Sequence, residues 1–263
     1  LKEPRMTTRP TTSPLIRLAM AASLLLAPAA VAQVAITGPQ DLTLPPGAET
    51  TVTYQVVNDL PTPVEAVLLL QDVLQLSDGA ITYLPPGRLQ TSIHQLLAFE
   101  TTSVRVPAND RVDVTATLRA PENATGGYWG VIGVDAIDPQ RPGHLGARAL
   151  FSIVTKLDIE GASTRAVHLR DLAYEHTGQR ALVTFTLVNA GDTYERARLT
   201  IELHGPGGVA GQVTRTLPVH PNKVVPARIP LPDPLPAGEY QARVTLEADG
   251  LEPHEHTLTI THR

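Results

Sequence analysis

The sequence predicts an all-β protein, two tandem β-sandwiches behind a targeting leader. Three observations carry that expectation. Short segments alternate apolar and polar residues, clusters of Gly, Pro, Asn and Asp separate them, and two of these segments recur in the same order in each half of the chain.

The 263 residues begin with a basic front end, Lys2, Arg5, Arg9 and Arg17, with Glu3 the one acid. Leu18 to Ala32, "LAMAASLLLAPAAVA", is apolar, interrupted by Pro28, short for a bilayer span, and ends in Ala30-Val31-Ala32. This is the pattern of a signal peptide over 1–32, with cleavage expected before Gln33. Beyond it, 17 of the 21 basic and 25 of the 26 acidic residues remain, a net charge of −8. That balance excludes a cationic nucleic-acid footprint. No later apolar run reaches membrane-spanning length, and there is no cysteine to form a disulfide or a thiolate metal site. An exported chain without disulfides depends on its hydrophobic cores.

Prolines are scattered through the rest of the chain, leaving little room for long helices. In "TVTYQVVND", Val52, Tyr54 and Val56 share one face of a strand. In "ALVTFTLVNAGD", Val183, Phe185 and Leu187 do the same. The two segments align with each other, and each ends in an asparagine, Asn58 or Asn189, a residue that tolerates a left-handed turn. A second echo pairs "GGYWGVIGVDAI" at 126–137 with "PLPAGEYQARVTLEA" at 234–248, each placing aromatics at the start of an alternating run. Two matches in one order indicate a repeated unit. Tyr54 and Tyr128 are 74 residues apart, Phe185 and Tyr240 only 55, so the first unit carries about 19 extra residues. These are placed at Tyr83 to Glu100, where Ser92 can cap one or two helical turns.

Strands are expected near 34–37, 41–44, 49–58, 63–73, 79–84, 101–106, 111–119, 127–137 and 146–158. A second set is expected near 166–175, 180–189, 195–204, 209–217, 223–229, 238–248 and 255–261. A first sandwich over 33–159, a linker at 160–165 and a second sandwich over 166–263 follow. Tyr240, and Tyr128 or Trp129, fit the buried tyrosine that closes the corner of an immunoglobulin-like sandwich. Trp129 is thus read as corner and core.

Sites of chemistry are sparse. Gly-x-Ser-x-Gly, His-Glu-x-x-His and P-loop patterns are missing. "GPGGVAG" at Gly205 to Gly211 lies between strands and reads as a hairpin loop. His254 and His256 share a strand face with His262 close in sequence, but further metal ligands are not evident. No catalytic residue, metal site or cofactor is assigned. Asp135 and Asp138 lack the glycine-and-acid loop repeat of a calcium site. In "ARALFSIVTKLDI" the odd positions are almost all apolar and core-facing, while Leu150 and Val154 interrupt the polar face. A long last strand at a sheet edge can accept another chain's strand. Leu150, Val154 and Lys156 are therefore the candidate partner-binding residues. The other reading packs Leu150 and Val154 against the second sandwich or the short helix.

A leader followed by "VTYQVVND", "VRVPANDRVDVTATLRAP", "GGYWGVIGVDAI" and "ARALFSIVTKL" resembles the bacterial periplasmic pilus-assembly chaperones. That resemblance implies tandem immunoglobulin-like domains and an edge strand lent to a fibre subunit. It also implies a basic pair in the interdomain cleft that holds the subunit's C-terminal carboxylate. Lys156 matches one basic position. The first-strand region "VAITGPQDLTLPPG" contains no basic residue for the other. The expected function is an exported, non-enzymatic protein-binding module, chaperone-like or adhesion-related, in the periplasm or at the cell surface. Its expected partner is another exported protein or a surface-fibre subunit. A structural spacer or coat component and an envelope hydrolase or carbohydrate-active protein are the alternatives.

Overall fold

The computed structural model describes residues 34–137, 152–177 and 180–262, which fall in one compact unit, Ala32–Arg263. The expected signal peptide, Leu150, Asp138 and the start of the strand expected at 146–158 lie outside the described residues.

The first sandwich comprises β1 (Val34–Thr37), β2 (Asp41–Leu44), β3 (Glu49–Asn58), β4 (Val64–Gln75), β5 (Ile81–Leu84), β6 (Leu97–Phe99), β7 (Ser103–Val106), β8 (Asp110–Arg119), β9 (Gly127–Ile137) and β10 (Ser152–Ile159). One sheet runs β1-β3-β8-β6. The other runs β2-β10-β9-β4-β5, with β7 also paired to β4. The second sandwich comprises β11 (Val167–Thr177), β12 (Arg180–Asn189), β13 (Glu195–Gly205), β14 (Gly208–Val219), β15 (Lys223–Pro230), β16 (Gly238–Glu247) and β17 (His254–His262). Its sheets are β11-β12-β15 and β14-β13-β16-β17. The protein is therefore all-β, two immunoglobulin-like sandwiches in tandem.

Alternation decides which side chains enter each core. Val52, Tyr54 and Val56 are buried in the first, Val183, Phe185 and Leu187 in the second. Tyr54 and Phe185 thus hold equivalent inward positions. Burying such a side chain contributes roughly 1.5–3 kcal/mol, which is how these cores stand without disulfides.

The two asparagines turn out to be the most exact part of the repeat, by a different route from the expected left-handed backbone. Neither has a positive φ. Each instead builds the turn with its side chain. Asn58 Nδ2 donates to Thr62 O (2.8 Å) and Pro107 O (2.9 Å), and its Oδ1 accepts from Leu60 N (3.0 Å). Asn189 Nδ2 donates to Thr193 O (2.8 Å) and Val219 O (3.1 Å), and its Oδ1 accepts from Gly191 N (2.9 Å). The same offsets, two and four residues on, recur in both sandwiches. Outside glycine, left-handed backbone among the described residues falls to Asn109, Asp171 and Asn222.

The extra residues of the first sandwich do hold a single helical turn, a 3-10 segment at Ile93–Gln95 with Ser92 as its cap, Oγ accepting from His94 N. The short strand β6 that follows was not foreseen. Asp72 organises this insert from the adjoining sheet. Its carboxylate accepts from Gly87 N (3.2 Å), Arg88 N (2.6 Å), Leu89 N (2.8 Å) and Ser92 Oγ (2.5 Å).

Tyr240 is a sandwich-corner tyrosine, its hydroxyl donating to Pro236 O at 2.7 Å. Tyr128 packs against the first core. Trp129 does not: being one residue out of phase, it faces the opposite side of the sheet and joins Val73, Val131 and Tyr194 in a separate cluster between the sandwiches. Its Nε1 donates to Val73 O at 3.3 Å. The glycine-rich Gly205–Gly211 stretch is the β13–β14 hairpin, with Gly205 opposite Gly208.

Truncating Asn189 to Ala leaves two buried carbonyls and one amide without their partner. The expected cost is about 2 kcal/mol, read as a lower urea midpoint at unchanged slope, and Asn58→Ala should behave alike.

Candidate functional site

The site begins where the chain changes sheets. β1 pairs antiparallel with β3 in one sheet, while β2, three residues later, pairs parallel with β10 in the other. The crossing at Gly38 to Gln40 lies on the ring of Tyr54. A Cβ at Gly38 would stand 2.4 Å from Tyr54 Cδ1, so a side chain there would displace the crossing or the ring. Thr155 ties it down from β10, its Oγ1 donating to Pro39 O at 3.0 Å.

Because β2 starts only at Asp41, it covers only part of β10. β10 pairs with β9 over Ser152–Asp158, but with β2 only over Lys156–Ile159. The hydrogen bonds give the phase. Lys156 N donates to Gln40 O (2.8 Å) and Glu160 N to Leu44 O (2.9 Å), whereas Ile159 N donates to Gly126 O (3.0 Å) on the β9 side. Even-numbered residues thus direct their main-chain groups toward β2, and odd-numbered ones toward β9. By this alternation Ser152 and Val154 aim their amides and carbonyls at an edge that no other described strand pairs.

The three nominated residues fare differently. Leu150 lies outside the described residues. Val154 is half-buried and packs on the cluster of Val73, Trp129, Val131 and Tyr194, so its side chain is turned to the second sandwich. Lys156 is 2% exposed. Its Nζ lies 3.4 Å from Asp158 Oδ2, 3.5 Å from Asp41 Oδ1 and 3.8 Å from Glu195 Oε2. Arg165 pairs with Asp158 and, at 3.7 Å, with Glu195, and Arg196 pairs with Asp41. Three cations and three carboxylates from β2, β10, the linker and β13 thus form one self-compensated cluster across the interdomain cleft. The Lys156 ammonium is thus already answered within the chain, with Asp41 in the segment that lacks basic residues.

Burial raises the Glu195 carboxyl above its ordinary value, opposed by the Thr193 hydroxyl, donating at 2.6 Å, and then by the Lys156 and Arg165 charges. A raised carboxyl contributes stability that is present in acid and is lost as the pH climbs through its raised value. None of the acidic partners or arginines was singled out in the sequence. One signal was legible for Glu195: it shares its phase along β13 with buried Ala197, Leu199, Ile201 and Leu203. Asp41 meets Lys156 and Arg196 only across more than 100 residues of chain, whereas Arg165 lies seven residues from Asp158.

Gln75 also bridges the sandwiches. Its Nε2 donates to Pro218 O (2.9 Å) and its Oε1 accepts from His220 N (3.0 Å). His254 and His256 lie on β17 opposite Leu246 and Val244. Among the described residues no group of three or more His, Asp or Glu is placed to hold a metal. His262 instead pairs its Nδ1 with the Tyr174 hydroxyl at 2.6 Å. No described helix is long and apolar enough to cross a membrane.

Lys156→Met removes one buried charge and strands its carboxylates. The expected loss is about 3 kcal/mol in urea unfolding, partly recovered when Glu195→Gln is added to the same chain.

No protein-family model matches the chain, and no curated protein matches it. Among solved structures it is similar to a chain of the CsuC–CsuE chaperone-tip adhesion subunit pre-assembly complex from the archaic chaperone-usher Csu pili of Acinetobacter baumannii. That match has 13% identity and a TM-score of 0.47, covering 88% of this chain and 100% of that one. It is similar to the class 5 fimbriae chaperone CfaA at 12% identity and a TM-score of 0.46, covering 88% and 99%. It is also similar to the CupB2 chaperone of Pseudomonas aeruginosa at 18% identity and a TM-score of 0.40, covering 84% and 97%. What the chain shares with these pilus-assembly chaperones is a resemblance of fold.

Proposed function

We propose that the protein is an exported, non-enzymatic, chaperone-like or adhesion-related binding module that captures an extended segment of a partner along β10. The observation that carries this reading is the phase of the β10 main chain. Ser152 and Val154 present amide and carbonyl groups to an edge that no described strand covers, while Ile153 between them is held by β9. Unpaired edge groups are a template for one more strand, and each main-chain bond formed there adds affinity without demanding a particular side chain.

The partner on this reading is another exported protein or a surface-fibre subunit, in the periplasm or at the cell surface. Recognition is by main-chain pairing next to Val154, and Leu150, four residues earlier in the sequence, is the other candidate contact. Lys156 serves mainly to anchor the cleft, since Asp41, Asp158 and Glu195 already surround it. A spacer role is the second reading, favoured by the packed seam of Gln75, Trp129 and Tyr194 that joins the sandwiches.

Proline separates the two. At position 152 or 154 it removes an outward amide and leaves the β9 ladder intact, as edge strands tolerate. Ser152→Pro and Val154→Pro are expected to lose the partner that the wild type and Ser152→Ala retain from cell-envelope proteins, with the unfolding midpoint of Ser152→Pro little changed. Equal retention by the proline variants would remove edge pairing as the mode of capture.

A further inference from the structure

The seam between the sandwiches contains a buried imidazole that makes no ion pair among the described residues. His220 follows β14, is 2% exposed, and is wedged edge-on between two rings. Its centroid is 5.3 Å from that of Trp129 at 84° and 5.2 Å from that of Tyr194 at 80°. Trp129 comes from the first sandwich and Tyr194 from the second, and these two stack at 6.2 Å. Gln75 of the first sandwich holds the His220 backbone amide. The imidazole Nε2 is buried and has no hydrogen-bond partner among the described residues.

We infer that this seam is a proton-operated latch: it is closed while the His220 imidazole is neutral and loosens when that ring takes up a proton. The physical reason is the cost of a charge without an answering group. Every close neighbour of the ring named above is aromatic or an uncharged amide. Burial pushes the His220 imidazole down to about 4, and the Lys223 charge from β15 pushes in the same direction. The charged and titratable groups of the neighbouring elements act on Tyr194: Arg196 and Glu195 from β13, Asp41 from β2 and Tyr83 from β5.

The sign follows from which state holds the proton. A histidine depressed in the closed state contributes stability that is present above its ordinary value near 6.5 and is lost as the pH falls toward 4. Glu195 acts in the opposite direction, because its raised carboxyl favours the closed state in acid. Replacing His220 therefore removes its acid-sensitive contribution to the seam and leaves the opposing slope of Glu195 there. The latch concerns the joint between the sandwiches and holds whether or not β10 captures a strand.

Trp129 is the single tryptophan of the chain, so its fluorescence reports on the seam alone. Titrating the mature protein from pH 7.5 to 4 should red-shift that emission with a midpoint between about 6.5 and 4, while far-UV dichroism retains its β signature. The opening constant should rise on the order of a hundredfold over that range. His220→Phe should hold the emission constant. A flat wild-type emission, or a variant that follows the wild type, overturns the latch. Should His220→Phe fail to fold, proton NMR of the wild type decides: a His220 ring titrating well below 6.5 supports the latch, and one titrating at the ordinary value overturns it.

Discussion

The crossing of the first strand from one sheet to the other is the constraint on which the rest depends. Gly38 lies where a Cβ would stand 2.4 Å from Tyr54, and Thr155 holds the Pro39 carbonyl, so the crossing is pinned from both sheets. Its position determines where β2 begins, and that decides three things at once. β10 is covered from Lys156 onward, its Ser152–Thr155 half is left without a β2 partner, and Asp41 is delivered to both Lys156 and Arg196. Moving the crossing by one residue would invert the faces of β2, because strand side chains alternate.

The cleft cluster then follows from desolvation. A lysine that is 2% exposed cannot keep its charge cheaply in an apolar seam, and here three carboxylates surround it. The arginines complete the balance, Arg165 from the linker and Arg196 from β13. Arg165 also donates to Asp249 O at 2.6 Å, so the linker is bound to the second sandwich as well as to the first. An arrangement that uses its charges on one another specifies the joint between domains more than it attracts an external ion.

Apolar packing finishes the joint. Trp129, Val131, Val73 and Tyr194 make a small core of their own, outside both sandwich cores, with His220 and Gln75 at its margin. In a chain without disulfides such a seam joins two independent cores into one unit, together with main-chain bonds such as Gly127 N to Asp192 O at 3.0 Å. The edge of β10 lies directly beside it, since Val154 reaches this cluster while its main chain faces outward. Strand edge and seam are therefore physically adjacent, and what alters one alters the surroundings of the other.

The sequence by itself determined the local periodicities and what they imply. Period-two alternation marked nearly every strand, Asn58 and Asn189 marked the repeated turn, and Ser92 marked the helical turn at Ile93–Gln95, because each depends on residues within a few positions. Tertiary structure alone decided the role of Trp129, the approach of Asp41 and Glu195 to Lys156, the uncovered half of β10 and the setting of His220. Local pattern states which face a residue takes on its own strand. Which partner waits on that face is set by pairings that reach across the chain, such as Gln75 with Pro218 and Asp41 with Arg196, and no short-range signal encodes them.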